Sequence, residues 1–553
     1  MPRTMHKPLL ALAAALLASA ANADTLVSNV NGIQVGAEGK IEHFRALVVT
    51  DDGKVRQTIA HPELVRLAGI TNTIDGGGRT LLPGLIDAHG HVLGLGFYAL
   101  QLDLVGTSSL DDLKQRLRTY AAANPDRPWI TGFGWNQELW PDKRFPTAAD
   151  LDSVVGDRPV VLERVDGHAL VANSAAMKAA GVTPATASPA GGRIENGLFV
   201  DNAMALVSKS VPAATDAEND AALAKAQDIL LGYGITGVGS MSTSLADWHA
   251  MKRLGDAGRL NVRMMVYADE LKLLGEVPHP TPWLDGDRLR MVGIKFYADG
   301  AMGSRGAWLK QPYADKDTRG LQFHSDAELA DMHQRAAAAG FQIATHAIGD
   351  AANAQVIASY EHLSKQYGAN RRWRIEHLQK ADPADIPRLA PAGIIASMQP
   401  THQTSDRLMA EKRLGPDRLA GAYAWQSVLK SGGRLAFGSD FPVESPNPFP
   451  GLAAAVSRQD MNGQPPGGWI PSERLSFAEA LDAFTRGAAY AGFAEDKIGS
   501  LEPGKWADFI LIDRDPTKVD AQTLARTEVV ETWVAGKKVW ARAPKESPTE
   551  RGK

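Results

Sequence analysis

Short apolar runs alternate with helical repeats through most of the chain. Runs at 81–91, 235–241, 262–268, 291–297, 341–346, 373–377, 394–399 and 435–440 are rich in Val, Ile, Leu and Phe. Continuous apolar runs of this kind suit strands buried on both faces, as in a parallel sheet. Apolar spacing of helical period follows several of them, for instance at 326–339 and 351–366. Strand–helix units repeated in this way predict an α/β fold, a (β/α)8 TIM-like barrel somewhat longer than the usual ~250 residues. The excess sits between the first and second strands, at about 100–220, with strand-like pieces of its own at 129–135 and 159–164. An α/β insertion at that point lands beside the C-terminal ends of the barrel strands. Outside the barrel, β-like pieces at 25–27, 45–49, 506–512 and 528–534 predict a small β-sandwich domain built from both chain ends. The expected division is 1–23 leader, 24–79 and 491–543 sandwich, 80–490 barrel with its insertion, and 544–553 flexible tail.

Composition narrows the class. With 44% hydrophobic and 22% charged residues, the chain is an ordinary globular one. A net charge of −4, with no dense Lys/Arg block after the N-terminus, argues against a nucleic-acid partner. Arg3, His6 and Lys7 precede an apolar segment at 9–21 that closes on Ala21-Asn22-Ala23. That is the pattern of a signal peptide cut before Asp24, so the mature protein is expected in the periplasm or secreted, and off the membrane. The segment is shorter than the roughly 18 residues a spanning helix needs. There is no cysteine, which excludes disulfides, thiolate ligands, cysteine nucleophiles and a lipid anchor on cysteine. A homodimer is the default assembly.

Candidate chemistry gathers at the strand ends. The first run closes on Asp87-Ala88-His89-Gly90-His91. Alternation along a strand puts His89 and His91 on one face, two imidazoles aimed the same way, which is half of a metal site. His346 closes the fifth run, His377 the sixth and Asp440 the eighth, while Lys295 lies inside the apolar fourth. Barrel enzymes take their working groups from the C-terminal ends of several strands. A lysine buried in an apolar strand is costly unless something there uses it.

The motifs LLPGLIDAHGH, KFYADGAMGSRGA, THAIGDAAN, RIEHLQ, FGSDFPV and GSLEPGKWADFILID, spread over essentially the whole mature chain, carry a resemblance. The chain resembles the amidohydrolase superfamily and, within it, amidohydrolase family 3, the group of N-substituted formamide deformylase-like enzymes. The resemblance implies a two-metal centre, with His89 and His91 on one ion and His346 and His377 on the other. It implies a CO2-derived carbamate on Lys295 bridging the two, and Asp440 completing the first site and shuttling the proton. The chemistry is coherent: a carbamate is an anion with two oxygens, and paired divalent ions provide hydroxide near neutral pH. Imidazole and carboxylate donors without thiolate suit zinc, with manganese, cobalt or iron as alternatives. The expected activity is hydrolysis of a C–N bond in a small amide, formamide or N-acyl compound. Hydrolysis of an ester, lactone or cyclic amide, or a non-catalytic exported binding protein, stand as alternatives.

Further candidates surround this set. His168, in RVDGHALVANS, resembles a family position that faces substrate from the insertion and is read as catalytic and substrate-binding. Arg305 could clamp a substrate carboxylate or tie down its own loop. His402 follows strand seven at the working end, and Trp135 and Trp140 could wall an apolar pocket or pack a core. His61, His249, His324, His333 and His362 read as solvated surface or helix residues. Two departures bear on substrate rather than on metal: Gly239 and Ser240 replace a His-Asp pair frequent in the family, and Asn136 stands where an Asp is frequent.

Overall fold

A computed structural model describes residues 23–165, 167, 169–189 and 191–544; the first 22 residues of the predicted leader and the tail from 545 lie outside that set. Eight parallel strands form the barrel in chain order: Leu85–Gly90, Ile235–Thr243, Arg263–Asp269, Leu289–Tyr297, Gln342–Ala347, Arg374–His377, Ile395–Met398 and Arg434–Phe437. Strands eight and one meet beyond strand eight, at a parallel bridge between Gly90 and Phe441. There Asp440 N–H donates to His89 O at 2.8 Å, and His91 N–H to Phe441 O at 2.8 Å. Helices pack outside. The one at Asp326–Ala338 starts where expected, because Ser325 and Glu328 form a capping box that satisfies its first amides. Ala488, Ala489, Ala491 and Ile498 pack against Ile86, Met265, Val292 and Ala436, filling the N-terminal mouth of the barrel.

The apolar run at 81–91 is two strands in two sheets. Thr80–Pro83 pairs antiparallel with Phe509–Ile512 and parallel with Asn31–Val35 in a six-stranded sheet; Leu85–Gly90 then opens the barrel. Gly84 makes the passage possible, since a Cβ there would stand 2.2 Å from Thr236 Oγ1. The apolar pattern runs straight through because both sheets bury this segment. The six-stranded sheet packs on a four-stranded one through Val27, Phe44, Leu47, Leu81, Phe509 and Trp533, a sandwich made from both ends of the chain. The insertion carries a six-stranded mixed sheet, and its core includes Leu102, Leu113, Leu162 and Val171. Helices Val92–Leu100 and Asp216–Gly232, on either side of it, cross closely: a Cβ on Gly96 would lie 1.9 Å from Ala222 O. Among the described residues, no helix is long and apolar enough to cross a membrane.

Candidate functional site

The seam between strands eight and one assembles the site. Asp87, buried beneath it, accepts from Ser439 Oγ at 2.6 Å and from His89 N–H at 3.0 Å. Burial raises its carboxyl to about 6 despite those bonds. Gly438 permits the close approach, since a Cβ there would stand 2.5 Å from Asp87 Oδ1. Held this way, Asp440 faces strand one: its Oδ1 lies 3.3 Å from His89 Nε2 and 3.1 Å from His91 Nε2. Burial alone would push its carboxyl up, but the imidazoles of His89 and His91 outweigh that and hold it well below the usual range. Asp440 and His377 both have positive φ, 62° and 77°. Such conformations cost of order 1–3 kcal/mol each and concentrate at working sites.

Each of four histidines spends Nδ1 on a neighbour. His89 Nδ1 meets Glu376 Oε2 at 2.6 Å, His91 Nδ1 the carbonyl of Met241 at 3.3 Å, His377 Nδ1 Gln399 Oε1 at 2.9 Å, and His402 Nδ1 Gln379 Nε2 at 3.2 Å. The other ring nitrogen is thereby left for a ligand, the arrangement that fixes tautomers in metal sites. Donor atoms of His89, His91 and Asp440 lie within 4.8 Å of one another, and so do those of His377, His402 and Asp440. His346 sits alongside, its ring 4.6 Å from that of His377 and its Nε2 3.6 Å from Asp299 Oδ1. Burial pushes His346 down to about 3 and His377 well below the imidazole range, so both rings are neutral donors at neutral pH. Lys295, 1% exposed, places Nζ 3.4 Å from His89 Nε2, and burial lowers its amine to about 8. The buried Nε2 atoms of His346 and His402 have no hydrogen-bond partner. Ring nitrogens of His89, His91, His377 and His402 converging on one carboxylate are what a divalent cation requires, so the residues fit such an ion.

The sequence expectations fare unevenly around this centre. His89, His91, Lys295, His346, His377 and Asp440 come together. His402 comes closer than a substrate contact would: its ring stacks on His377 at 6.0 Å and its Nε2 lies 3.9 Å from Asp440 Oδ2. Arg305 is drawn elsewhere, because both arms of its guanidinium bind Asp315, at 3.0 and 2.8 Å, ten residues along the same loop. Its role here is to tie that loop. Trp135 is not a pocket wall: it is fully buried, its Nε1 donates to Leu162 O at 2.8 Å, and it packs with Trp140 in the insertion core. His333, read as surface or helix, is on a helix but buried, bonded to Ser359 Oγ and Thr345 Oγ1. His168 lies outside the described residues. Glu376 and Gln399, which orient two of the histidines, went unnoticed in the sequence. Strand six did carry a signal for the first: Arg374 and Glu376 alternate on one face of an apolar strand, and buried opposite charges two residues apart imply a pair. Arg374 Nε indeed donates to Glu376 Oε1 at 2.7 Å.

The sequence pattern of the amidohydrolase family matches residues 72–540, a stretch that includes every one of these strands. The chain belongs to the amidohydrolase family. As a family member it is a hydrolase, and several relatives align over most of it. YtcJ of Bacillus subtilis (strain 168) is 32% identical over 513 residues, covering 90% of this chain and 96% of its own. N-substituted formamide deformylase of Arthrobacter pascens is 26% identical, covering 84% and 89%. Among solved structures, an uncharacterized metal-dependent hydrolase from Pyrococcus horikoshii OT3 superposes with a TM-score of 0.77 at 27% identity, over 90% of this chain and 99% of that one.

Proposed function

We propose that this family member hydrolyses the C–N bond of a small amide, formamide or N-acyl compound, using two divalent ions at the strand ends. One observation carries the reading: inward-facing nitrogens of His89, His91, His377 and His402 ring the shared carboxylate of Asp440, with Lys295 buried beside them. The deformylase name and the metal-dependent hydrolase title among its relatives support it. His89, His91 and Asp440 would hold one ion, and His346 and His377 the other. Lys295 would carry a CO2-derived carbamate between them, since an amine lowered to about 8 supplies free base near neutral pH. Zinc suits the nitrogen and oxygen donors. Bound divalent ions supply Lewis acidity, which polarises a carbonyl and acidifies water. Asp440 takes the water proton on its carboxylate and returns it to the leaving nitrogen, the work of a general acid–base. Glu376 and Gln399 keep His89 and His377 turned inward.

A screen of formamides, N-acyl amino acids and aryl amides with zinc-reconstituted protein tests this. Release of free amine is the expected result. Turnover confined to esters or lactones would move the activity to another bond on the same centre. We also infer export, on the strength of the basic, apolar and Ala21-Asn22-Ala23 pattern of the leader. N-terminal sequencing should then return Asp24, and recovery of Met1 from exported material would refute it.

A further inference from the structure

The end of barrel strand two is built around an irregularity. Ser242 has a φ of 54°, and the register against strand three shifts between Ser240 and Thr243. Bulges beside active sites re-aim the groups they carry. Here two successive residues serve the same centre. The Met241 carbonyl accepts from His91 Nδ1 at 3.3 Å, and the next side chain, Ser242, bonds the Tyr297 hydroxyl through Oγ. Tyr297 is two residues beyond Lys295 on strand four, so it shares that face one step nearer the open end of the barrel. Its ring centroid is 6.0 Å from that of His346 and 5.4 Å from Lys295 Nζ. Ser242 and Tyr297 are both only half-buried, so solvent reaches this edge of the centre.

A phenol has one donor and can accept as well. When Ser242 Oγ–H donates to the phenol oxygen, the tyrosine proton is free for something else. A ring that merely packed against His346 would need neither the hydroxyl nor a serine held in a left-handed conformation. We propose that Tyr297 is a catalytic residue of the hydrolysis, its O–H donating to the carbonyl oxygen of the scissile bond as that oxygen gains charge. Ser242 is its positioning residue, leaving the phenol proton free for the substrate oxygen. The inference rests on the hydrolytic reading above and adds to it the donor that receives the oxyanion. Donors set in advance at that oxygen are among the largest contributions to acyl-transfer catalysis.

Tyr297→Phe tests this directly, because it keeps the ring and removes one oxygen. On the best substrate of the amide panel, kcat should fall by about 10²–10³-fold, the usual cost of one oxyanion donor, with KM little changed. Zinc content and thermal midpoint should match the parent. Ser242→Ala and Ser242→Gly should each slow kcat by a smaller factor and agree with each other, since glycine takes the positive φ freely and isolates the hydroxyl. The Tyr297→Phe/Ser242→Ala double variant should be no slower than Tyr297→Phe alone, because the serine acts only through the phenol. A Tyr297→Phe enzyme that keeps the parent kcat overturns the proposal and leaves the hydrolytic reading standing. So does one that loses zinc together with rate, which would make the phenol part of metal assembly. A parent enzyme that hydrolyses no member of the panel overturns both.

Discussion

Strand eight of the barrel has very different surroundings at its two ends. Where it begins, Arg434 and Leu435 border a cavity of about 650 Å3 shared with the sandwich domain at Gly36 and Gly39. Charges there are answered: Arg486 donates to Glu502 at 2.8 Å, Lys505 pairs with the same carboxylate at 2.7 Å, and Arg434 lies over the Tyr490 ring at 4.3 Å. Three residues after the strand stops, Asp440 stands in a tight cluster where His402 Nε2 and Gln399 Nε2 are buried with no hydrogen-bond partner. Those charges at the roomy end have partners, and two nitrogens at the crowded end do not. Buried polar atoms are nearly always paired, so orphans point to chemistry better than volume does.

The largest effects should come from attacking the crowded end. Lys295→Ala removes the proposed bridge and should abolish bound metal and activity together, with partial rescue by a short carboxylic acid. Asp440→Asn should lower kcat by ~10²–10⁴-fold, the range for a general acid–base, while metal content falls less. Normal activity with full metal in Lys295→Ala would erase the contrast between the ends. Glu376→Gln should weaken zinc binding about 10–100-fold in chelator competition, the usual cost of losing the partner of a ligating histidine. Unchanged affinity would reduce Glu376 to a partner of Arg374 alone.

A pH series sharpens the same comparison. Burial lowers the Lys295 amine from its ordinary value to about 8, so the proton leaves within reach of physiological pH. Carbamate formation needs the free base, so uptake of labelled CO2 by metal-free protein should climb from pH 7 to 9 and then level off, as followed by carbon NMR. Uptake that began only near pH 10 would mean an ordinary, solvated lysine. The smallest effect belongs to the roomy end. Arg486→Ala breaks partly exposed ion pairs worth ~0–1 kcal/mol each and should leave kcat within about twofold. A large loss of activity there would show that the cavity takes part in function.

The sequence makes the working end visible for a physical reason. Strand ends put His89, His377 and Asp440 at fixed places relative to apolar runs that any period-2 reading can find. What it hides depends on contacts across the chain. Nothing local shows that Arg305 closes on Asp315, or that Trp135 finds the Leu162 carbonyl. The change of sheet at Gly84 leaves no mark on the apolar pattern, because both sheets bury the segment; Pro83-Gly84 alone punctuates it. His402 could be placed at the working end, but its stacking on His377 depends on how helix Pro400–Leu414 leaves strand seven.

The seam has one more consequence, for the order in which the molecule comes together. His91 and Asp440 stand 349 residues apart, yet the last two hydrogen bonds between strands eight and one flank Asp440. Loops of that span close slowly, since their entropy is lost before any contact repays it. Until residue 440 arrives, His89 and His91 lack the carboxylate that completes their donor set. Once closed, an ion shared by His89, His91 and Asp440 would act as a buckle across a joint of the barrel that is held by an isolated bridge rather than a strand ladder. The amides of His91 and Asp440 should therefore exchange with deuterium faster in metal-free protein than in the loaded form, while those of strands three and four hardly respond.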